Sequence, residues 1–197
     1  GTDSALSLAV SGGYVYVAGS TSSADFPLTS GGYQPGSGGG TKDAYVAKLS
    51  SDLKQLIRSS YLGGGGSDEA RSLLVSGDSV YVAGATSSAN FPFTSGCAQA
   101  TFGGLSDAFI SKLNLGLTST VQSTYLGGSG YDFSHALAVS GDSVYVTGAT
   151  YSPDFPGRSG GAQPVFGGGS VDSFVSKLNL DLTPTVQSTY LGGSADD

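Results

Sequence analysis

The sequence repeats itself three times, with a period of 64 or 65 residues. The motif Tyr-Leu-Gly-Gly occurs at Tyr61–Gly64, Tyr125–Gly128 and Tyr190–Gly193, and Val-Tyr-Val-x-Gly occurs at Val15–Gly19, Val80–Gly84 and Val144–Gly148. Because unrelated motifs keep one period, the chain contains three copies of a single structural unit. We assign these copies to residues 1–66, 67–130 and 131–197.

Each copy has the pattern of four short β-strands. Runs rich in Val, Leu and aromatic residues alternate with Gly- and Ser-rich turns, and in the first copy they cover residues 6–10, 14–19, 44–49 and 57–62. The first two runs are apolar on both faces, which is typical of a sheet packed between two others. Repeated sheets of this kind are typical of β-propeller blades. We therefore predict an all-β fold of three four-stranded antiparallel blades of about 65 residues each, without helices.

Three blades are too few to close a ring, because known propellers have about four to eight. An open arc would expose an apolar sheet face at each end. We therefore expect these blades to belong to a larger ring of about six to eight blades. Either further blades of the same chain or a second copy of it would complete the ring.

The connection between the second and third strands is long in every copy. It covers residues 20–42, 85–106 and 149–171, which is more than 20 residues each time. In an antiparallel meander this connection leaves the sheet at the same end as the Gly-rich acidic link between copies. Because long loops on a rigid scaffold often carry function, we predict that this loop-rich face is the binding surface.

The order of the motifs resembles a known repeat. Tyr-Leu-Gly-Gly, Val-Tyr-Val-x-Gly, Thr-Ser-Ser-x-Asp-Phe-Pro and Asp-x-aromatic-[Val/Ile]-x-Lys-Leu together resemble the bacterial SBBP-type β-propeller repeat over essentially the whole chain. The sequence departs from that pattern at Asn90, Pro153 and Gly157. The resemblance implies a propeller in an exported or surface-attached bacterial protein, and it implies no catalytic residues.

Charge and composition exclude several classes of function. The net charge of −7 argues against nucleic acid and against anionic membrane surfaces as partners, and no apolar stretch is long enough to insert into a membrane. The single Cys97 cannot form an intrachain disulfide, although an exposed thiol could cross-link two chains. We expect a secreted or cell-surface protein whose partner is a protein or a carbohydrate.

Positions that differ between copies are the best candidates for a site built once per molecule. The residue that begins the first strand is Leu6, Arg71 or His135, so we predict that Arg71 and His135 bind a ligand near the mouth of the central channel. His135 is the only histidine, which excludes a His-based zinc site within this segment. The phenylalanines of the Phe-Pro motif either fill space between blades or stack on sugars; they are Phe26, Phe91 and Phe155.

Most acidic residues recur in every copy, which favours a structural role. Asp43, Asp107 and Asp172 precede the third strand, where we expect them to accept backbone N–H groups from the Gly-rich loop. The links between copies contain the residues that could bind a structural calcium ion, although they lack the EF-hand spacing; these are Asp68, Glu69, Asp132, Asp196 and Asp197. No other cofactor is expected.

Three hypotheses about function follow. The first is a non-enzymatic extracellular scaffold that binds a carbohydrate, a surface polymer or a protein. The second is part of a propeller-type polysaccharide hydrolase or lyase whose catalytic residues lie in other blades. The third is a structural or assembly module. The sequence favours the scaffold, because aspartate occurs almost entirely at repeated positions.

Overall fold

A computed structural model describes residues 1–183 and 186–197, which form three four-stranded sheets. The first sheet contains β1 (Asp3–Ser11), β2 (Tyr14–Thr21), β3 (Asp43–Ser50) and β4 (Leu56–Leu62). The second contains β5 (Asp68–Ser76), β6 (Ser79–Thr86), β7 (Asp107–Asn114) and β8 (Thr120–Leu126). The third contains β9 (Asp132–Ser140), β10 (Ser143–Thr150), β11 (Asp172–Asn179) and β12 (Val186–Leu191).

Each sheet is an antiparallel meander in which neighbouring strands follow chain order. The described residues contain no helix, and so none that could span a membrane. The prediction of an all-β fold with three four-stranded antiparallel blades is therefore confirmed. The strands extend the predicted runs by a few residues, mainly at the start of the first strand.

The sheets stack face to face through two hydrophobic cores. One core joins the first and second sheets and contains Tyr16, Val46, Leu73 and Phe109. The other joins the second and third sheets and includes Tyr81 and Val144 among its buried residues. The second sheet is covered on both faces, and strand β6 is buried at every position. This two-sided burial explains why the strands lack a regular alternation of polar and apolar residues.

A β-bulge interrupts the first strand of every sheet at the same repeat position. In the second sheet Ala70 pairs with Gly84 and Ser72 pairs with Ala83, which leaves Arg71 as the extra residue. A Cβ atom at Gly84 would overlap the carbonyl oxygen of Glu69. The glycine that ends each Val-Tyr-Val-x-Gly motif is therefore required by the close approach of the bulged strand.

The long connection does not project from the sheet. It folds back along the outer edge of the fourth strand, where Ser123 N donates to Phe93 O at 2.9 Å and Tyr125 N donates to Gln99 O at 3.1 Å. The third sheet has the same arrangement along β12. The connection thus covers a strand edge that would otherwise be free to pair with another chain. Much of the long connection therefore has a structural role, which was not predicted from the sequence.

Candidate functional site

The two residues singled out as ligand contacts, Arg71 and His135, are the bulge residues of β5 and β9. A bulge adds one residue to a strand and redirects its side chain, which is why bulges are frequent beside functional sites. The structure brings the two residues close together, at the end of the sheets where the long connections meet the links between copies. Burial and the positive charge of Arg71 lower the pKa of His135.

Arg71 is held by an acidic and an aromatic neighbour. Its Nε atom lies 2.7 Å from Oε1 of Glu69, and its guanidinium carbon lies 5.0 Å from the ring centroid of Phe133. Lys42 contacts the other carboxylate oxygen of Glu69. Burial opposes ionisation of Glu69, but hydrogen bonds and charges from Lys42 and Arg71 lower its pKa overall. The guanidinium is therefore fixed over an aromatic face and stays partly open to solvent.

Three aromatic residues of the third copy cluster beside Arg71. The rings of Tyr131 and Phe133 are stacked with their centroids 6.2 Å apart, and Tyr151 meets both rings edge-on at 6.2 and 6.4 Å. Tyr131 is 46% exposed and Tyr151 is 42% exposed, so both rings are available to a ligand. The equivalent positions of the other copies are polar; they are Thr2, Ser4 and Ser22 in the first and Ser67, Glu69 and Ser87 in the second. This aromatic cluster is therefore built only once among the three copies.

A cleft between the second and third sheets joins these features. We call it the aromatic cleft and define it by Glu69, Arg71, Leu105, Tyr131 and Phe133. The corresponding cleft one junction earlier has the same position in the fold but is lined mainly by hydroxyl groups; it contains Thr2, Ser4, Ser20, Ser22 and Thr41, with Lys42 and Glu69. The same backbone frame thus has an aromatic lining at one junction and a hydroxyl lining at the other.

The predicted ligand contacts Arg71 and His135 did not include the three aromatic residues beside them. The signal was present, because Tyr131, Phe133 and Tyr151 each replace polar residues at their repeat positions. Tyr131 and Phe133 lie on either side of the residue that starts β9, and Tyr151 follows the end of β10. What the sequence could not show is that these three positions converge.

The phenylalanines of the Phe-Pro motif pack within their own blades. Phe91 lies against Phe109 with the ring centroids 4.5 Å apart, and Phe155 lies against Phe174 at 4.4 Å. Both side chains are buried. Phe26 makes the same contact with Tyr45 at 4.3 Å and is partly exposed. These rings fill the space between the long connection and the sheet, so the exposed aromatic surface is formed by other residues.

The recurring aspartates before the third strand accept backbone N–H groups from the Gly-rich loop, as predicted. Gly38 N and Gly103 N donate to Oδ2 of Asp43 and Asp107 at 3.1 and 2.8 Å. Gly167 N donates to Asp172 at 2.6 Å. All three carboxyl groups are buried, which separates them from any ligand in the aromatic cleft.

The residues proposed as calcium ligands already accept hydrogen bonds or ion pairs within the chain. Asp68 and Asp132 are buried and accept a backbone N–H and a serine hydroxyl each. Glu69 is paired with Lys42 and Arg71. Asp196 accepts from Ser170, and Asp197 accepts from Gly193. In the described ranges, no three acidic, histidine or cysteine residues converge as metal ligands would. Calcium binding remains a prediction.

Cys97 is buried, and its thiol donates to the carbonyl oxygen of Thr94 at 2.8 Å. The suggestion that it could cross-link two chains required an exposed thiol. The structure corrects it, because Cys97 is only 5% exposed.

Comparisons with known proteins give one family match. A model described as the LVIVD repeat, a β-propeller-type repeat, matches residues 3–22. This segment is the hairpin of β1 and β2, about a tenth of the chain. No curated protein matches the sequence. The match and the three stacked sheets together support a repeat-containing β-propeller scaffold in general.

Proposed function

We propose that this chain is a non-enzymatic extracellular scaffold that binds a carbohydrate in the aromatic cleft. The observation that carries the proposal is the replacement of polar repeat positions by Tyr131 and Phe133, which line the cleft with Arg71. Tyr151 replaces a third polar position and packs edge-on against both rings. The C–H face of a sugar ring is apolar and packs on an exposed aromatic face. Arg71 and Glu69 supply donors and acceptors for the sugar hydroxyls, and an acidic sugar would also pair with Arg71.

The arrangement of carboxyl groups favours binding over hydrolysis. A glycosidase uses two carboxyl groups that flank the scissile bond. Of the described residues that line the aromatic cleft, Glu69 is the one carboxylate, and two cations hold it ionised. The recurring aspartates Asp43, Asp107 and Asp172 are buried beneath the loops. A substrate in the cleft would not reach them.

An exported location fits the composition. Charged residues make up only 12% of the chain, and the chain is rich in serine, threonine and glycine. The resemblance to repeats of exported bacterial proteins points the same way. A surface polymer, or the glycan of another cell, is then the kind of carbohydrate that the protein would meet.

The test is a glycan array followed by titration calorimetry on the glycan that binds best. Tyr131→Ser and Tyr151→Ser restore the residue type of the other copies at exposed positions, so the fold should be retained. We expect Tyr131→Ser to weaken binding at least tenfold. Tyr151→Ser removes the ring that packs against Tyr131 and Phe133, and we expect a smaller loss. Tyr14→Ser is the matched control, because Tyr14 is 37% exposed, its equivalents are Ser79 and Ser143, and it lies at the opposite end of the sheet.

The outcomes separate the hypotheses. Equal losses in all three variants, or no binding to any glycan, would contradict the carbohydrate proposal. Release of reducing sugars from a bound polysaccharide by the purified chain would favour the hydrolase or lyase hypothesis instead.

A further inference from the structure

Three charged side chains meet at the aromatic cleft, and each is an exception to the repeat. Among the described residues that line the cleft, the charged ones are Lys42, Glu69 and Arg71. Their equivalents in the other copies carry no permanent charge; they are Ser106 and Val171 for Lys42, Ser4 and Phe133 for Glu69, and Leu6 and His135 for Arg71. This charged group is therefore built once among the three copies, like the aromatic cluster beside it.

The charges of the cleft lining do not cancel. Lys42 contacts one carboxylate oxygen of Glu69, and Arg71 contacts the other, so two cations share one anion. Despite its burial, Glu69 has a lowered pKa, because both cations donate to it. One positive charge is left over at the cleft, whereas the whole chain has a net charge of −7. An anionic ligand would therefore find a cationic lining on an acidic protein.

Three buried carboxyl groups near the cleft oppose this charge less than exposed aspartates would. They belong to Asp68, Asp107 and Asp132, each of which is next in sequence to a residue of the lining. Burial raises the pKa of all three, to about 7 in Asp107. A raised pKa favours the neutral form, so these groups carry less negative charge at a given pH.

The surplus charge belongs to this cleft and not to its neighbour. The hydroxyl-lined cleft one junction earlier shares Lys42 and Glu69, and it contains no other charged residue among those described. The first copy has Leu6 where the second has Arg71. The lining charges of the neighbouring cleft are therefore balanced, and only the aromatic cleft combines a surplus cation with exposed rings.

The guanidinium of Arg71 presents this charge with free donors. Its Nε–H donates to Glu69 at 2.7 Å, but its two terminal nitrogens donate no hydrogen bond to the described residues. The side chain is 31% exposed, and its guanidinium carbon lies 5.0 Å from the ring centroid of Phe133. A guanidinium edge with two free N–H groups fits two oxygens of one carboxylate, sulfate or phosphate.

We infer that the aromatic cleft selects an acidic sugar and that Lys42 sets this selectivity. The anionic group pairs with the free edge of Arg71 while the sugar ring packs on Tyr131 and Phe133. Lys42 acts through Glu69, because without it this carboxylate would cancel the charge of Arg71 and repel an anion. A ring carboxylate and a sulfate ester share the chemistry required. Such selectivity presupposes the carbohydrate binding proposed above and adds the charge of the sugar.

The test compares a polyuronate, a sulfated glucan and an uncharged glucan by titration calorimetry. We expect an acidic polymer to bind about tenfold or more tightly than the uncharged glucan, with an affinity that falls as salt is added. Preference for the polyuronate would identify a carboxylate as the anionic group, and preference for the sulfated glucan a sulfate ester. An uncharged glycan bound as tightly as the acidic polymers would overturn the selectivity but not the carbohydrate proposal. Absence of binding to any glycan would overturn both.

Exchanges between copies locate the selectivity. Arg71→Leu introduces the residue of the first copy, Leu6, and should make the acidic and uncharged polymers bind alike. Lys42→Ser introduces the residue of the second copy, Ser106, and should weaken binding of the acidic polymer about five- to tenfold without affecting the uncharged glucan. Lys54→Ser is the control, because it changes the net charge equally in a turn at the opposite end of the sheet, where the side chain is 80% exposed. It should change neither affinity by more than about twofold.

A double variant separates an action through Glu69 from direct contact of Lys42 with the sugar. Lys42→Ser combined with Glu69→Gln removes both charges of the ion pair, and the amide oxygen can still accept from Arg71. We expect the affinity for the acidic polymer to return to within about twofold of the natural chain. An affinity as low as that of Lys42→Ser alone would contradict the role of Lys42. Equal losses for acidic and uncharged polymers in Lys42→Ser would show a merely structural role and would also overturn it.

Discussion

The carboxyl groups of Asp107 and Asp132 converge on Gly127, where a Cβ atom would lie 2.7 Å from Oδ1 of the first and 2.7 Å from Oδ2 of the second. Both residues are buried, and Oδ1 of Asp107 accepts no hydrogen bond from the described residues. Burial raises the pKa of Asp107 to about 7; the Gly103 N–H opposes the shift, and the charge of Asp132 adds to it. Burial also raises the pKa of Asp132. The link between the second and third copies is therefore a place where the fold favours a neutral carboxyl group.

The first prediction concerns stability against pH. The folded state keeps a proton on Asp107 up to about pH 7, while the unfolded chain releases it near the ordinary aspartate pKa of 3.8. Its contribution is therefore complete below about pH 4 and is lost as the pH rises to about 7. Three pKa units correspond to a loss of at most about 4 kcal/mol in the free energy of unfolding. Urea denaturation from pH 4 to pH 8 measures this slope.

Asp107→Asn isolates the contribution of this carboxyl group. The amide nitrogen resembles the protonated form and can donate to Asp132, so we expect a flatter pH profile and greater stability than the natural chain at pH 8. Asp52→Asn is the control, because Asp52 lies in an exposed turn, where the Ser50 hydroxyl and the Lys54 N–H lower its pKa. A slope in Asp107→Asn equal to that of the natural chain would refute the assignment.

The second prediction tests the bulge beneath Arg71. Gly84→Ala places a Cβ atom on the carbonyl group of Glu69, and backbone atoms cannot move aside without breaking the pairing of β5 with β6. We expect a loss of about 2–4 kcal/mol in the free energy of unfolding. Gly36→Ala is the control, since no atom lies within 4 Å of its Cβ position. The control should change stability by less than about 0.5 kcal/mol. Equal effects in urea denaturation would contradict the role of the bulge.

The strands were predictable from sequence because their signals are local and occur three times. Val-Tyr-Val-x-Gly has the β-branched and aromatic residues of a strand, and the Gly-rich turns beside it mark its ends. The role of Asp43 and its equivalents as acceptors of backbone N–H groups also followed from local chemistry. An aspartate after a Gly-rich loop has backbone N–H groups within reach.

The bulge and the path of the long connection depend on pairing across the sheet, which no single segment encodes. Arg71 looks like an ordinary strand residue until the partners of its two neighbours, Gly84 and Ala83, are known to be consecutive. The connection that contains Gln99 has no regular spacing of apolar residues, so its sequence does not indicate that it runs along β8. Tyr131 and Tyr151 were visible as exceptions to the repeat, but their contact requires that β9 and β10 pair.

The third prediction concerns the tyrosine of the Tyr-Leu-Gly-Gly motif. Tyr125 OH donates to Ser88 O at 2.6 Å and accepts from Phe91 N at 3.0 Å, and both contacts are buried. Tyr125→Phe keeps the packed ring but leaves the Ser88 carbonyl without this donor. We expect a loss of about 1–3 kcal/mol by urea denaturation. Tyr14→Phe should have no effect, because the Tyr14 hydroxyl makes no hydrogen bond to the described residues.

The last prediction tests how the long connection is attached. Gln99 Nε2 donates to Gly127 O at 3.0 Å, and its Oε1 accepts from Gly127 N at 3.0 Å. Gln34 and Gln163 make the same pair of bonds in the other copies. This side chain therefore fastens the connection to the link that precedes the aromatic cleft. Gln99→Ala should raise the rate of amide hydrogen exchange about tenfold or more over residues 87–106 and at Gly127. The free energy of local opening is lower in this variant, because the two hydrogen bonds between residue 99 and Gly127 no longer have to break.

The pattern of exchange decides between attachment and general destabilisation. If Gln99 acts as a fastener, exchange in β6 should remain slow, because that strand is buried on both faces. Gln55→Ala is the control, since Gln55 lies exposed in the turn between β3 and β4 and should leave residues 87–106 unchanged. Faster exchange throughout the second sheet would instead mean that the glutamine supports the whole blade. The connection would then be part of the blade's cooperative core, and its removal would unfold the sheet that carries Arg71.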